Sequence, residues 1–174
     1  QYRFFVPHDV NGMIQLFGGK EEFVAALDDI FNTDAEIHGN LVDITGLIGQ
    51  YVHGNEPSHH IAYLYNYVGE PWKTQKMSRR LLNEMYHPTP EGIIGNEDCG
   101  QMSAWYILSS MGLYSVCPGS NEYVLTTPLF EKVVVHLANG RTLTILANDP
   151  QKNIYITKVE LNGKQIDTNF ITYD

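Results

Sequence analysis

The sequence predicts an α+β chain, with helices first and strands after, changing character near Pro118. Upstream of that proline, apolar residues recur at helical spacing between Gly and Pro breakers. Downstream, β-branched runs flank Asn-Gly pairs, the strongest short-range hairpin signal. The two kinds of element do not alternate, which argues for segregated α and β parts over a wound parallel sheet. The expected division is a helical part over 1–117 and an antiparallel β segment over 118–174.

Asp9 stands where a short apolar helix, Val10 to Phe17, should start, and aspartate is a good N-cap. Gly18-Gly19 stops that helix, and Lys20 to Phe31 follows with Phe23, Ala26, Leu27 and Ile30 on one face. Leu41 to Tyr51 reads as loop, interrupted by Gly46 and Gly49. Ser58 to Val68 reads as a helix with Ile61, Leu64, Tyr65 and Val68 in phase, stopping at Gly69. Pro71, tolerated in a first turn, opens the next helix to about Tyr86, striped by Met77, Leu81 and Met85. His87-Pro88-Thr89-Pro90 ends it, and Asp98 to Met111 is the last helix, closed by Gly112. In the β segment, Asn139-Gly140 joins the runs 132–137 and 141–146, and Asn162-Gly163 follows a run over 154–161.

Hydrophobic residues make up 43% of the 174 residues, enough for a packed core. The formal net charge of −9, with no basic cluster beyond Arg79-Arg80, excludes a nucleic-acid-binding face. No apolar run approaches the length of a membrane span. Cys99 and Cys117 flank the last predicted helix and would lie roughly 25 Å apart, too far for a disulfide. Gln1 leads straight into Tyr2-Arg3-Phe4-Phe5-Val6 without an initiator Met, which reads as a cut into something longer.

Two polar tracts carry the chemistry. His53-Gly54-Asn55-Glu56-Pro57-Ser58-His59-His60 precedes one predicted helix, and Gly95-Asn96-Glu97-Asp98-Cys99-Gly100 precedes another. If those helices are neighbours, both loops open on one rim bearing Asn55, Glu56, Asn96 and Asp98. Such an all-oxygen rim suits Ca²⁺ or Mg²⁺. A zinc site built on His53, His59 and His60 lacks the i, i+4 pair and a cysteine companion. Hydrogen bonds to ligand hydroxyls suit these histidines better, with at least one of them structural. His38, His87 and His136 have no polar company and read as fillers. Asp98 at a helix N-terminus can act as a base or simply cap the helix. Carboxylates, eleven Tyr, seven Phe and two Trp fit glycoside chemistry, which requires an acid and a base across the scissile bond. Glu56 and Glu97 are acid candidates by proximity only. No Gly-x-Ser-x-Gly and no phosphate loop occurs, so serine-nucleophile and nucleotide chemistry find no support.

Val6-Pro7-His8-Asp9, the tract 53–60, Tyr63-Leu64-Tyr65, Pro71-Trp72-Lys73-Thr74 and the run from Gly95 to Tyr106 resemble glycoside hydrolase family 92. The resemblance runs from Gln1 past Gly163. It implies calcium-dependent, inverting exo-α-mannosidases, with an N-terminal β-sandwich packed on an (α/α)₆ toroid and the active site between them. This chain would supply the last toroid helices and the β segment that follows. On the matching positions, Asp98 is the water-activating base. Asn96 stands where some members carry a second, assisting carboxylate. The calcium falls to Asn55 and Glu56, with Asp98 a further candidate. His53, His59 and Glu97 are the expected sugar contacts.

The general-acid glutamate and the sandwich are expected upstream of Gln1, so the chain is read as a C-terminal catalytic fragment, inactive alone. The partners implied are an α-mannoside glycan and the sandwich of the same polypeptide. The substrate class implies export, to the medium, periplasm or cell surface. Two other readings stay open: a non-catalytic, calcium-dependent carbohydrate-binding module, and a helical scaffold whose caps happen to be acidic.

Overall fold

The structure, a computed structural model, describes residues 2–34 and 44–173. His38 and the first residues of the 41–51 stretch lie outside the described residues. Helix α1 (Val10–Leu16) starts as local chemistry dictates, with Asp9 Oδ1 accepting the Gly12 N–H at 2.8 Å. Helix α2 (Lys20–Asn32) buries Phe23, Ala26, Leu27, Ile30 and Phe31 along one side. Its last carbonyls receive the next segment: Gln50 N–H donates to Ile30 O at 2.7 Å, seating the two-residue strands β1 (Leu47–Ile48) and β2 (Tyr51–Val52).

The predicted Ser58–Val68 helix is corrected to two 3₁₀ segments, Glu56–Ser58 and Ile61–Val68. Every residue from Ile61 to Tyr65, with Asn66 and Val68, is buried, so this segment is surrounded and has no solvent stripe. Three of its eight residues are tyrosines, poor α-helix formers whose rings find partners on several sides.

Helix α3 (Pro71–Glu84) begins at Pro71 and packs on the 61–68 segment. Lys73 Nζ ties it to α2, 2.8 Å from Asp28 Oδ2, while Tyr65 OH donates to Asp28 Oδ1 at 2.9 Å. Helix α4 covers Gln101–Ser110.

The strands that follow are β3 (Leu113–Tyr114), β4 (Glu122–Leu125), β5 (Lys132–His136), β6 (Thr142–Leu146), β7 (Val159–Leu161), β8 (Lys164–Ile166) and β9 (Phe170–Thr172). Both Asn-Gly pairs close antiparallel hairpins, β5–β6 with Val134 opposite Thr144, and β7–β8 with Glu160 opposite Gln165. Of the run over 154–161, only β7 is strand. A three-stranded sheet, ordered β3-β4-β9, crosses the expected boundary at residue 118. Tyr114, Val116 and Val124 join the same core as Leu27, Leu64 and Trp105, so the helical part and this sheet share one interior. The chain is thus an α+β fold. Among the described residues no helix is long and apolar enough to cross a membrane.

Leu64 is fully buried while Leu16, on α1, is 88% exposed. Leu64→Ala is expected to lower the unfolding free energy by about 2–5 kcal/mol in urea titrations. Leu16→Ala should stay within about 0.5 kcal/mol, and equal losses from the two would contradict this core.

Candidate active site

The two polar tracts meet backbone to backbone. A Cβ placed on Gly95 would fall 2.6 Å from the Gly54 carbonyl oxygen and 2.9 Å from its Cα. Gly95 also has φ +86°, so both its missing side chain and its conformation allow the approach. On the other side of Gly54, its N–H donates to Thr45 O at 3.1 Å, and a Cβ there would strike Thr45 Oγ1.

Beneath this junction lies a buried polar network. Tyr86 OH donates to Met102 O at 3.1 Å, so its oxygen accepts from His53 Nε2 at 2.8 Å. That fixes the tautomer: His53 carries its proton on Nε2, and Nδ1 accepts from Tyr51 OH at 2.8 Å. His59 Nε2 donates to His53 O at 2.9 Å, leaving Nδ1 to accept from the Gln101 amide at 3.4 Å. Trp105 Nε1 donates to His59 O at 3.1 Å, and the indole stacks on Tyr86. Four residues thus hold the histidine tract in register: Tyr86 just past α3, and Gln101, Met102 and Trp105 on α4.

His53 and His59, the expected sugar contacts, are tied into this internal network. Both rings are buried and both nitrogens of each are engaged within the protein. His60 is likewise buried, with Nε2 donating to Phe4 O at 2.8 Å. Burial, with a smaller push from His59, lowers the His53 pKa from 6.5 to about 3. Burial also lowers those of His59 and His60.

The oxygen-bearing side chains of the two tracts are less buried than the histidines. Asn55 and Glu56 are half-buried, while Asn96 and Asp98 are exposed. Glu56 Oε1 is buried and has no hydrogen-bond partner, a costly state for a carboxylate oxygen. A hard cation would satisfy it, so the residues present fit calcium. Among the described residues no three His, Cys, Asp or Glu side chains gather as a metal site. The remaining calcium ligands would then be amide or backbone oxygens, water and ligand hydroxyls.

Asp98 is not the first residue of α4, as the sequence suggests. The helix starts at Gln101 with Gly100 at its N-cap position, and Asp98 lies in a preceding 3₁₀ turn, 98–100. The cap comes from Glu97, whose Oε1 accepts the Ser103 N–H at 3.1 Å and whose Oε2 accepts the Ser103 hydroxyl at 2.7 Å. Both oxygens of Glu97, an expected sugar contact, thus bond Ser103 within the protein. The sequence carries no local signal for this cap, because the reach of six residues crosses a non-helical turn.

Two clefts lie elsewhere. One of about 920 Å³ runs between the end of α4 and the strands β6 and β7, and one of about 520 Å³ lies behind α4 against Tyr86 and Ile107. None of the predicted site residues lines either. Cys99 and Cys117 are free thiols.

The two tracts thus meet at Gly54 and Gly95, and one of them carries a buried carboxylate oxygen, Glu56 Oε1, without a hydrogen-bond partner. The profile of the glycosyl hydrolase family 92 catalytic domain matches residues 1–174. An uncharacterised secreted glycosidase of Arthroderma benhamiae is 34% identical over 99% of this chain and 21% of its own length. The structure of a family 92 α-mannosidase from Bacteroides thetaiotaomicron, in complex with mannoimidazole, superposes with a TM-score of 0.90 at 44% identity, over 98% of this chain and 22% of that one. A family 92 inverting mannosidase from the same bacterium gives 0.81 at 38% identity, over 98% and 24%. The chain belongs to glycoside hydrolase family 92. It spans between a fifth and a quarter of the length of these relatives.

Two outcomes follow for this junction. Gly95→Ala should destabilise the fold by at least about 1 kcal/mol, through φ strain and collision with Gly54, read as a lowered Tm; an unchanged Tm would show that the tracts can separate freely. Second, below pH 6.5 the unfolded chain binds protons that buried His53, His59 and His60 refuse. Stability present above pH 6.5 should therefore drain as the pH falls, by up to about 1.4 kcal/mol per pH unit from His53 down to about 3, with losses of the same sign from His59 and His60. Urea midpoints that stay flat between pH 7 and pH 5 would contradict neutral, buried rings.

Proposed function

We propose that residues 1–174 form part of the catalytic domain of a calcium-dependent, inverting exo-α-mannosidase, with Asp98 as general base. The observation that carries this reading is the orphaned Glu56 oxygen on a tract held against the Asp98 tract by the Gly54–Gly95 contact. The helices and 3₁₀ segments would be the last members of an (α/α)₆ toroid. The relatives' descriptions as α-mannosidases support α-mannosides of glycans as the substrate class, and the secreted relative supports export.

In this reading Asp98, exposed on its turn, takes a proton from a water that attacks the anomeric carbon opposite the leaving group. The new C–O bond forms as the glycosidic C–O bond breaks, and the configuration inverts. The leaving oxygen takes its proton from the general acid, which the family resemblance puts upstream of this chain. Asn96 can hydrogen-bond the water or Asp98 but, as an amide, cannot share the proton. Asn55 and Glu56 would hold calcium, which when bound supplies Lewis-acid contacts to the sugar's 2- and 3-hydroxyls. His53 and His59 act from below, keeping the Asn55-Glu56 turn seated without touching the sugar. On this proposal the 174-residue chain alone does not turn over mannosides.

The test is proton NMR of α-mannobiose hydrolysis by the full polypeptide carrying these residues, with calcium and then with chelator. First-formed β-mannose that requires calcium, and a kcat lowered roughly 10²–10⁴-fold by Asp98→Ala, are expected. Sugar binding without turnover would replace the enzyme with a carbohydrate-binding module. First-formed α-mannose would overturn inversion.

A further inference from the structure

The turn that presents Asp98 is strained on both sides. Glu97 at φ 55° and Cys99 at φ 53° are both left-handed, and neither is glycine. Each such residue costs about 1–2 kcal/mol, so the turn does not hold itself and its surroundings must over-determine it. Backbone hydrogen bonds close it from within, Gly100 N–H to Glu97 O at 3.0 Å and Gln101 N–H to Asp98 O. The Glu97 side chain adds a further hold. It folds beneath the turn and grips Ser103 twice, through the backbone N–H and the hydroxyl. Ser103 is itself fixed, because the adjacent Met102 carbonyl is bound by Tyr86, and Trp105 is bound to His59.

We propose that Glu97 is a positioning residue: its clamp on Ser103 holds the left-handed turn that carries Asp98 over the rim. The proposal rests on the reading of Asp98 as the base. It replaces a sugar-binding role for Glu97 with an internal one, and it makes Ser103 part of the same device. A carboxylate is needed because both of its oxygens accept. Glutamine keeps one acceptor oxygen for the Ser103 N–H, but its amide can hold the Ser103 hydroxyl only if that hydroxyl turns to accept, and both charge-assisted bonds are lost.

The test uses Glu97→Gln, Ser103→Ala and Asp98→Ala in the full polypeptide. Misplacing a reacting group by about an ångström can lower its rate about 10²-fold. Glu97→Gln should accordingly lower kcat about 10- to 100-fold with KM within about twofold, and Ser103→Ala should do the same more weakly. Adding Glu97→Gln to Asp98→Ala should lower kcat no further, because the clamp acts through Asp98. Amide exchange at Ser103 should quicken in Glu97→Gln. A raised KM with kcat unchanged would make Glu97 a sugar ligand, and a lowered Tm with both constants unchanged would make it a helix cap only. Either result overturns the proposal while leaving Asp98 as base. Wild-type kcat in Asp98→Ala overturns the base itself and the positioning role with it, while Ser103 exchange still reports whether the clamp exists.

Discussion

The backbone of Gly95 rests on the backbone of Gly54, and everything offered at the rim depends on that contact. A side chain on Gly95 would separate two tracts that lie far apart in sequence. The contact alone would still slide. It is pinned from below by His53, whose single proton, on Nε2, makes the ring a donor to Tyr86 and an acceptor from Tyr51. Tyr86 in turn passes the constraint to the first turn of α4 through Met102 O. The chain of bonds is directional, and reversing any one donor would leave a buried group unpaired. Such networks are stabilising only when every member is satisfied, as these three rings are.

Burial and charge are sorted into layers. The histidines sit inside and are neutral, since desolvation removes their charge more effectively than the neighbouring Glu56 restores it at His59. The carboxylates stand above them, half-buried at Glu56 and exposed at Asp98. Among the described residues, Glu56 Oε1 is one of the buried polar atoms left without a hydrogen-bond partner.

What could be read from the sequence was what local chemistry decides. Asp9 caps α1, Pro71 opens α3, and Asn139-Gly140 and Asn162-Gly163 turn the two hairpins. Each needs only its immediate neighbours. The Ile61–Val68 segment was misread because an apolar stripe in phase looks alike on a one-sided α-helix and on a 3₁₀ segment buried all round. At the site, the two tracts were legible as partners, but the duties of their residues were not. His53 looks like a ligand until Tyr51 and Tyr86 are found on its nitrogens. Glu97 looks like a rim carboxylate until Ser103 is found in its grip, and Asp98 looks like a helix cap until α4 is seen to begin at Gln101. Those partnerships are set by tertiary packing, which spacing along the chain does not record.

The chain has two tryptophans, and the fold assigns them opposite surroundings. Trp72, near the start of α3, is 49% exposed, whereas Trp105 is sealed under the rim, edge-on to His53 and stacked on Tyr86. Their emission should separate into a red-shifted component that dissolved quenchers reach and a blue-shifted one that they do not. The second dye-like ring looks directly at the floor of the site, so the molecule carries its own optical gauge of what happens there, with no label added.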